Sequence, residues 1–571
     1  MTKTKATTSK TSDSKLRTTQ YAHAVVAGLI ITSKKVYLAC QRHLNDLKRQ
    51  GKGSFTWVFD EKKGYRPVEY IERFCKPSQG DYDELKLQDW QHFVIGSMYG
   101  WVHAKSGVRR FKEALIYVGR KNGKTTLISG LSLFAASKDN ENGARVFQLA
   151  NSKEQARELF DECKAMVKAS TLLDRHFETT LHEIRYGRSN SKIMPLATDS
   201  KKLDGKNASF AVFDEIHEYK TYKLINVIKN STGARSQPMI IYITTAGYQL
   251  DGPLMDYYEK GADVLNGVIP DERSFYFMAE LDPEDDINDP KNWIKANPSL
   301  GVTLKLETLI EEWESRQHIP AERNDFITKR LNRFVQSDEQ SFIDFEVIKK
   351  NDKSILLDEL KGKVAIGGFD LSQSEDFTSA CLEFTLDDGR VFVRSHSWIP
   401  QKKVDMDNEK IPYDEWVKEG WLTIIKGDYV DYTYLYDWFI ARANEYQIRK
   451  ITYDPANAYR LVEDLKSYGF NCEPVRQGHL TLNAPLKDIK EMLLDGKVVF
   501  NKNRLFRWYL NNVKLVEDRN GNWLPTKQSR YRKIDGFAAW LNAHTETLKL
   551  MSVPQPTGRV EVISVKSLKG R

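Results

Sequence analysis

The stretch ALIYVGRKNGKTTLISG (residues 114–130) runs an apolar segment into Gly-Arg-Lys-Asn-Gly-Lys-Thr-Thr and out into a second apolar segment. A phosphate-binding loop needs backbone N–H groups at a helix N-terminus, a glycine where the chain passes closest to the phosphates, a lysine for the outer phosphates and a hydroxyl for the metal. Gly123, Lys124 and Thr125 fill the last three places, and Gly119, Arg120, Lys121, Asn122 and Thr126 complete the loop. The usual pattern wants Gly or Ala five residues before the second glycine, where this chain has Val118, with Gly119 one place late. Taken alone, the loop reads equally as a cradle for ATP or as a basic surface turn.

Partners elsewhere in the chain favour the cradle. In SFAVFDEIHEY the apolar run Phe210 to Phe213 leads straight into Asp214 and Glu215. A nucleotide-binding fold delivers one carboxylate to Mg²⁺ and a second to the attacking water in this way. The run MIIYITTAG (239–247) ends in Thr244, Thr245, Ala246 and Gly247, hydroxyls placed to sense the γ-phosphate, though a plain polar strand end fits as well. Upstream, LQDWQHF (87–93) sets Trp90 and Gln91 ahead of the first strand, where the Gln91 amide is a candidate reader of the adenine edge.

The chain has 571 residues, enough for several cores, and its 40% hydrophobic and 29% charged composition is that of a soluble globular protein. AVVAGLII (24–31) is too short to span a bilayer, so no membrane partner is expected. The cysteines Cys40, Cys75, Cys163, Cys381 and Cys472 lie far apart, which argues against a disulfide framework or zinc cluster and suits a reducing cytoplasm. The net charge is +8, but Lys3, Lys5, Lys10, Lys15 and Arg17 against Asp13 give +4, and Arg559, Lys566, Lys569 and Arg571 against Glu561 give +3. With about +1 left on the body, overall charge says little about DNA binding.

The pattern predicts a basic disordered tail over 1–20, a P-loop ATPase domain over 21–340 with a lid or linker region after about 250, a second domain over 345–550, and a basic tail over 551–571. Apolar runs at 115–119, 145–150, 209–215 and 239–247, separated by helix-length segments, predict an α/β fold with a mainly parallel sheet. In the second half, VAIGGFDLS (364–372), FTSACLEFTLDD (377–388) and GRVFVRSHSWI (389–399) follow one another as a meander, and KITYDPA (450–456) returns after a helical segment, which predicts a mixed sheet.

The GRKNGKTT loop, the FDEIHEY segment and the strand ending in TTAG together resemble the ATPase half of the large terminase subunit of tailed double-stranded-DNA phages. The resemblance implies an RNase H-like, metal-dependent nuclease as the second domain, whose carboxylates converge from separate places to hold two metal ions. By that resemblance Asp370 in AIGGFDLS, Asp454 in KITYDPA and Asp535 in YRKIDGFAAWLNAH map onto the metal ligands, for Mg²⁺ with Mn²⁺ as a substitute. Asp376 is expected to shape a turn, and Glu383 is a weaker alternate ligand. Lys527, Arg530, Arg532, Lys533, Arg504 and Arg507, the last two alternating with Phe506 and Trp508, are candidates for holding a phosphate backbone.

The resemblance also implies double-stranded DNA as substrate, a portal protein and a small terminase subunit as partners, and a homo-oligomeric ring on the capsid portal. It places the protein in the cytoplasm of the infected bacterial host and transiently on the procapsid. A residue acting across subunits is expected; Arg235 in GARSQP is the candidate and Lys206 the alternate. A helicase or translocase with an appended nuclease, and a transposase-like DNA-binding protein with an ATP-dependent regulatory domain, are the other readings.

Overall fold

The structure, a computed structural model, describes residues 16–77, 84–197, 207–248, 252–335, 341–371, 377–406, 411–527 and 532–552. The chain divides into two units, Met1–Glu339 and Gln340–Arg571.

In the first unit β1 (Trp57–Phe59) and β2 (Trp101–His103) form a small antiparallel pair. The main sheet is built from β3 (Glu113–Tyr117), β4 (Arg145–Ala150), β5 (Phe177–Thr179), β6 (Ile184–Tyr186), β7 (Ser191–Ala197), β8 (Phe210–Asp214), β9 (Met239–Thr244) and β10 (Ser274–Met278). Their order is β10-β3-β9-β8-β4-β7-β6-β5, parallel from β10 to β7 and antiparallel beyond. Every residue of β9 and β10 is buried. Such strands have no wet face, and helices such as Lys124–Ser137 and Lys153–Ala169 make the crossovers that cover them. Because the sheet is parallel, the loop after β3, the acids after β8 and the threonines after β9 all emerge at one edge.

Residues 281–335 form a small helical lid with its own core, in which Trp293, Trp313 and Phe326 pack ring to ring. At the other end, the disorder expected over residues 1–20 does not extend through Leu16–Gln20. Thr18–Val26 is helical, and Thr18 donates to the His92 carbonyl at 2.6 Å. Thr18, Tyr21, Ala22 and Val25 give that helix a buried stripe, which outweighs the polar composition around it.

The second unit holds β11 (Val364–Asp370), β12 (Thr378–Thr385), β13 (Val391–Pro400), β14 (Leu422–Ile425), β15 (Gln447–Tyr453), β16 (Cys472–Pro474) and β17 (Val498–Val499), with β18 (Val513–Glu517) and β19 (Trp523–Lys527) as a separate hairpin. The sheet order is β14-β13-β12-β11-β15-β16, with β17 also on β13. The three strands β11 to β13 form an antiparallel meander, while β15 runs parallel to β11, so the sheet is mixed. The helix Asp535–Ser552 lies across one face, burying Phe537, Ala539, Trp540 and Ala543 in the core. Among the described residues no helix is long and apolar enough to cross a membrane.

Candidate functional site

At the β3 edge the loop from Val118 to Thr125 has the form that the Gly119 offset requires. A Cβ on Gly119 would stand 2.8 Å from Asn297 Oδ1, 3.0 Å from the Arg330 carbonyl and 3.1 Å from the Ala296 carbonyl. The late glycine therefore serves the lid, which touches the loop there: Gly119 N–H donates to Ala296 O and Arg120 N–H to Lys329 O. Gly123, at φ +77°, is the left-handed residue heading the helix Lys124–Ser137. Asn122 is fully buried and donates to Gly119 O at 3.0 Å and Asn297 Oδ1 at 2.9 Å, while its own Oδ1 accepts from Ser299 N. Asn297 and Ser299, in KANPSL (295–300), carry no sequence pattern that marks them as part of a site.

Lys124 Nζ donates to Val118 O at 2.7 Å, so the strand's last turn holds the lysine over the loop. Thr125 is exposed, Thr126 half-buried, and Arg120 and Lys121 lie at the rim. Gln91 is buried in the helix Asp89–Gly100, its Oε1 accepting from Gln88 N, with its Nε2 3.8 Å from the Cβ position of Gly123. Trp90 is buried and donates to Ser299 Oγ, so it serves the core and the lid.

Across the edge, Asp214 ends β8 and Glu215 follows in the left-handed region at φ +46°, a strained conformation for a side chain of this size. That turn swings the Glu215 carboxylate toward β9, where Oε2 accepts from Thr245 N at 3.3 Å and pairs with His217 Nδ1 at 3.0 Å. Burial and the adjacent Glu215 charge push the Asp214 carboxyl up to about 7, against the pull of Lys124. Burial acts to raise Glu215 too, but Lys124, the His217 hydrogen bond and Arg120 bring it down to about 2. Burial lowers Lys124, opposed by Glu215 and Asp214. The site thus holds the Glu215 carboxylate charged and the Asp214 carboxyl readily protonated.

Arg235 is not brought to this edge. It precedes β9, at the opposite end of the parallel strands, and is spent in place: it pairs with Glu141 at 3.2 Å and donates to Gly143 O at 2.9 Å and Asn207 Oδ1 at 2.9 Å. Within its own unit the Arg235 charge is thus met by Glu141. Lys206, Asp376 and Arg530 lie outside the described residues.

In the second unit, Phe369 on β11 is in register with Tyr453 on β15, their rings stacked at 5.2 Å and 6°. Asp370, the last residue of β11, and Asp454, the first beyond β15, therefore emerge at the same C-terminal edge, both half-buried. The helix Asp535–Ser552 runs back over the sheet: Glu546 pairs with Lys450 at 2.6 Å, Ala539 packs over Gly368, and Asn542 donates to Phe369 O at 3.0 Å. Its first residue, the buried Asp535, is thereby directed to the edge of Asp370 and Asp454. These three acids share an edge without closing into a group of three metal donors among the described residues.

Glu383 is not at that edge. It pairs with Ile366, four residues back from Asp370, or roughly 13 Å along the strand. Buried, it accepts from Trp540 Nε1 at 3.0 Å and pairs with His544 Nδ1 at 2.8 Å, while His544 Nε2 meets Asp488 Oδ2 at 2.8 Å. Burial works against the His544 charge, but Glu383 and Asp488 raise its pKa to about 9. Nor do Arg507, Phe506 and Trp508 form a DNA-facing row: all three are buried, Arg507 pairing with Asp352 at 2.9 Å. Arg504 pairs with Glu419 at 3.2 Å, and Lys533 is buried. Lys527 is exposed and Arg532 half-exposed.

Two family models match the chain: the ATPase domain of the terminase large subunit over residues 89–262, and its endonuclease domain over 268–550. The chain is similar to Protein YmfN of Escherichia coli strain K12, 28% identical over 377 residues, covering 64% of this chain and 83% of that protein. It is 25% identical over 510 residues to the terminase large subunit of Lactococcus phage SK1, covering 85% of this chain and 91% of that one. Against the large subunit of Enterobacteria phage HK97 it is 25% identical over 495 residues, covering 84% and 94%. The crystal structure of the HK97 large terminase matches with a TM-score of 0.48 at 23% identity, covering 85% of this chain and 99% of that one.

Proposed function

This chain belongs to the terminase large-subunit family, and on that premise we propose how its residues divide the work of a DNA-packaging motor. ATP hydrolysis in the motor drives duplex DNA into the capsid, and a metal-dependent endonuclease cuts concatemeric DNA. Family membership decides against the helicase–nuclease and transposase-like readings.

At the ATP site, Lys124 exchanges its bond to Val118 O for the outer phosphates, and the loop from Gly119 to Thr126 offers its N–H groups to the rest. Gln91, beside Gly123, faces the nucleotide, and Thr245 lies where loss of the γ-phosphate is felt. Glu215, charged at neutral pH, orients the attacking water and takes its proton. Thr125 and Asp214 are the residues that would hold Mg²⁺, and the oxygen donors suit it.

In the nuclease, Asp370, Asp454 and Asp535 are the residues that would hold the divalent ions, Mg²⁺ with Mn²⁺ as a substitute. An all-carboxylate donor set fits a hard cation. Bound there, the ions supply charge neutralisation and an activated water. The Phe369–Tyr453 stack and the Asn542 bond keep the two strand ends and the helix in one alignment. Lys527, exposed, and Arg532, half-exposed, are basic candidates for holding a DNA backbone. The motor acts as a ring on the portal, with a small subunit choosing the DNA, in the infected host's cytoplasm.

The observation that carries this assignment is the register that sets Asp370 beside Asp454 under the helix beginning at Asp535. Asp370→Asn, Asp454→Asn and Asp535→Asn, each in the full chain, are expected to abolish plasmid cleavage while the ATPase continues. Wild-type cutting by any one removes that residue from the site.

A further inference from the structure

Two residues beyond Glu215, His217 lies inside the ATP site with no role assigned to it. Its ring packs against Gly247, where a Cβ would come within 2.8 Å of it, and its side chain is 12% exposed. Nδ1 lies 3.0 Å from Glu215 Oε2 and 2.9 Å from Thr244 Oγ1. The Thr244 hydroxyl hydrogen goes to Thr245 O at 2.8 Å, so toward His217 that oxygen only accepts. A charged carboxylate also only accepts. Nδ1 must therefore carry the hydrogen, which Thr244 Oγ1 accepts while Glu215 Oε2 lies against the same N–H at 3.0 Å. The backbone repeats the attachment, His217 N donating to Thr244 Oγ1 at 3.3 Å. On its other side, Nε2 stands 3.9 Å from Glu218 Oε1, beyond hydrogen-bond range.

We propose that His217 is a positioning residue for the ATPase: its Nδ1–H pins Oε2 of Glu215 to the end of β9 and leaves Oε1 to orient the attacking water. This rests on the reading of Glu215 as the water-orienting carboxylate. A left-handed backbone at Glu215 aims its side chain at β9 but does not fix its last torsions, and two donors on one oxygen do. The tie also has a destination. The β9 end continues into Ala246, whose N–H donates at 2.7 Å to Oδ1 of the fully buried Asn332, and Asn332 Nδ2 donates to Ala279 O. A shift of the threonines after β9 is thereby passed to Glu215 through His217, and to the end of the lid through Asn332.

The test is steady-state ATPase of the full chain, with melting temperature measured alongside. An asparagine amide nitrogen falls near the place of Nδ1, whereas a glutamine amide reaches the place of Nε2. His217→Ala and His217→Gln are expected to lower kcat about tenfold to a hundredfold with KM for ATP within about threefold, since misplacing a catalytic group by about 1 Å costs that much. His217→Asn recovers the larger part of the loss. In a Glu215→Gln background, His217→Ala adds little, because it acts through the missing carboxylate. The proposal is overturned if His217→Ala keeps kcat within about twofold of wild type, if Asn and Gln lose equally, or if the losses in the double variant multiply. If instead Glu215→Gln itself keeps wild-type turnover, the reading of Glu215 fails and the proposal with it, a result the single His217 variants do not mimic.

Discussion

Gly368 is the point where the nuclease helix meets its sheet, and Gly368→Ala is expected to disable cleavage without touching ATP hydrolysis. A Cβ there would lie 2.1 Å from the Ala539 carbonyl oxygen and 2.9 Å from both the Ala543 Cβ and its backbone nitrogen. The first of these is backbone, so no rotamer change relieves it. Restoring an ordinary contact needs a shift of roughly 1 Å of the helix away from β11, which breaks interior packing of crystal-like density. Overpacking usually costs about 1–3 kcal/mol, and a clash with helix backbone belongs at or above the top of that range. For a unit of this size about 3 kcal/mol lowers the melting temperature by roughly 6–12 °C. The same shift carries Asp535 away from Asp370. Gly367→Ala is the control, since its Cβ meets only side-chain atoms, Phe439 Cε1 at 3.0 Å and Ile451 Cγ1 at 3.1 Å, and is expected to cost about 1 kcal/mol. The assay is thermal melting with plasmid cleavage and ATPase on the same preparations. If Gly368→Ala melts and cuts like wild type, the helix does not set the nuclease site.

Glu215→Gln should bind ATP nearly as wild type while turnover falls by about a hundredfold or more, measured by nucleotide titration beside the ATPase rate. Gly119→Ala should push Asn297 and the lid off the loop and raise KM for ATP several-fold before it lowers kcat; an unchanged KM would show that the lid contact is idle. His544 is held charged between Glu383 and Asp488, with its folded pKa at about 9 above an ordinary value of 6.5. Its stabilisation is therefore fully present below about pH 6.5 and lost as pH rises through about 9, so the nuclease unit's melting temperature should fall across that window, and His544→Gln should flatten the fall. Arg235→Ala should lower the first unit's melting temperature while hydrolysis persists, because the side chain is spent on Glu141 and loop carbonyls.

The parts of this fold legible in sequence are those where one residue type has one physical use. Apolar runs such as Phe210 to Phe213 and Met239 to Ile243 announce buried parallel strands, and an acid at the end of such a run can only emerge at the sheet edge. Asp370 and Asp454 follow such runs and lie at the C-terminal edge of β11 and β15. Side chains with several uses are not legible in this way. Glu383 ends no strand; it sits mid-strand, where its charge is met by His544 some 160 residues on, a pairing no local pattern announces. Arg507 alternates with aromatics as a DNA-facing row would, yet the helix Arg504–Asn512 is buried nearly all round and Asp352 takes the charge. Asn297 and Ser299 leave no local trace because they act on Asn122 from about 175 residues away. His217 carried a signal, its place two residues after Glu215, but its use depends on Thr244, which only the β8–β9 pairing brings near.

One chain carries a motor and a separate cutter, and DNA packaging into empty capsids separates the two. With linear duplex DNA, ATP and Mg²⁺, wild-type protein and Asp370→Asn should both leave DNA protected from added nuclease, and Glu215→Gln should protect none. Protection by Glu215→Gln, or its loss in Asp370→Asn with a normal ATPase rate, would mean that the two activities are not divided in this way.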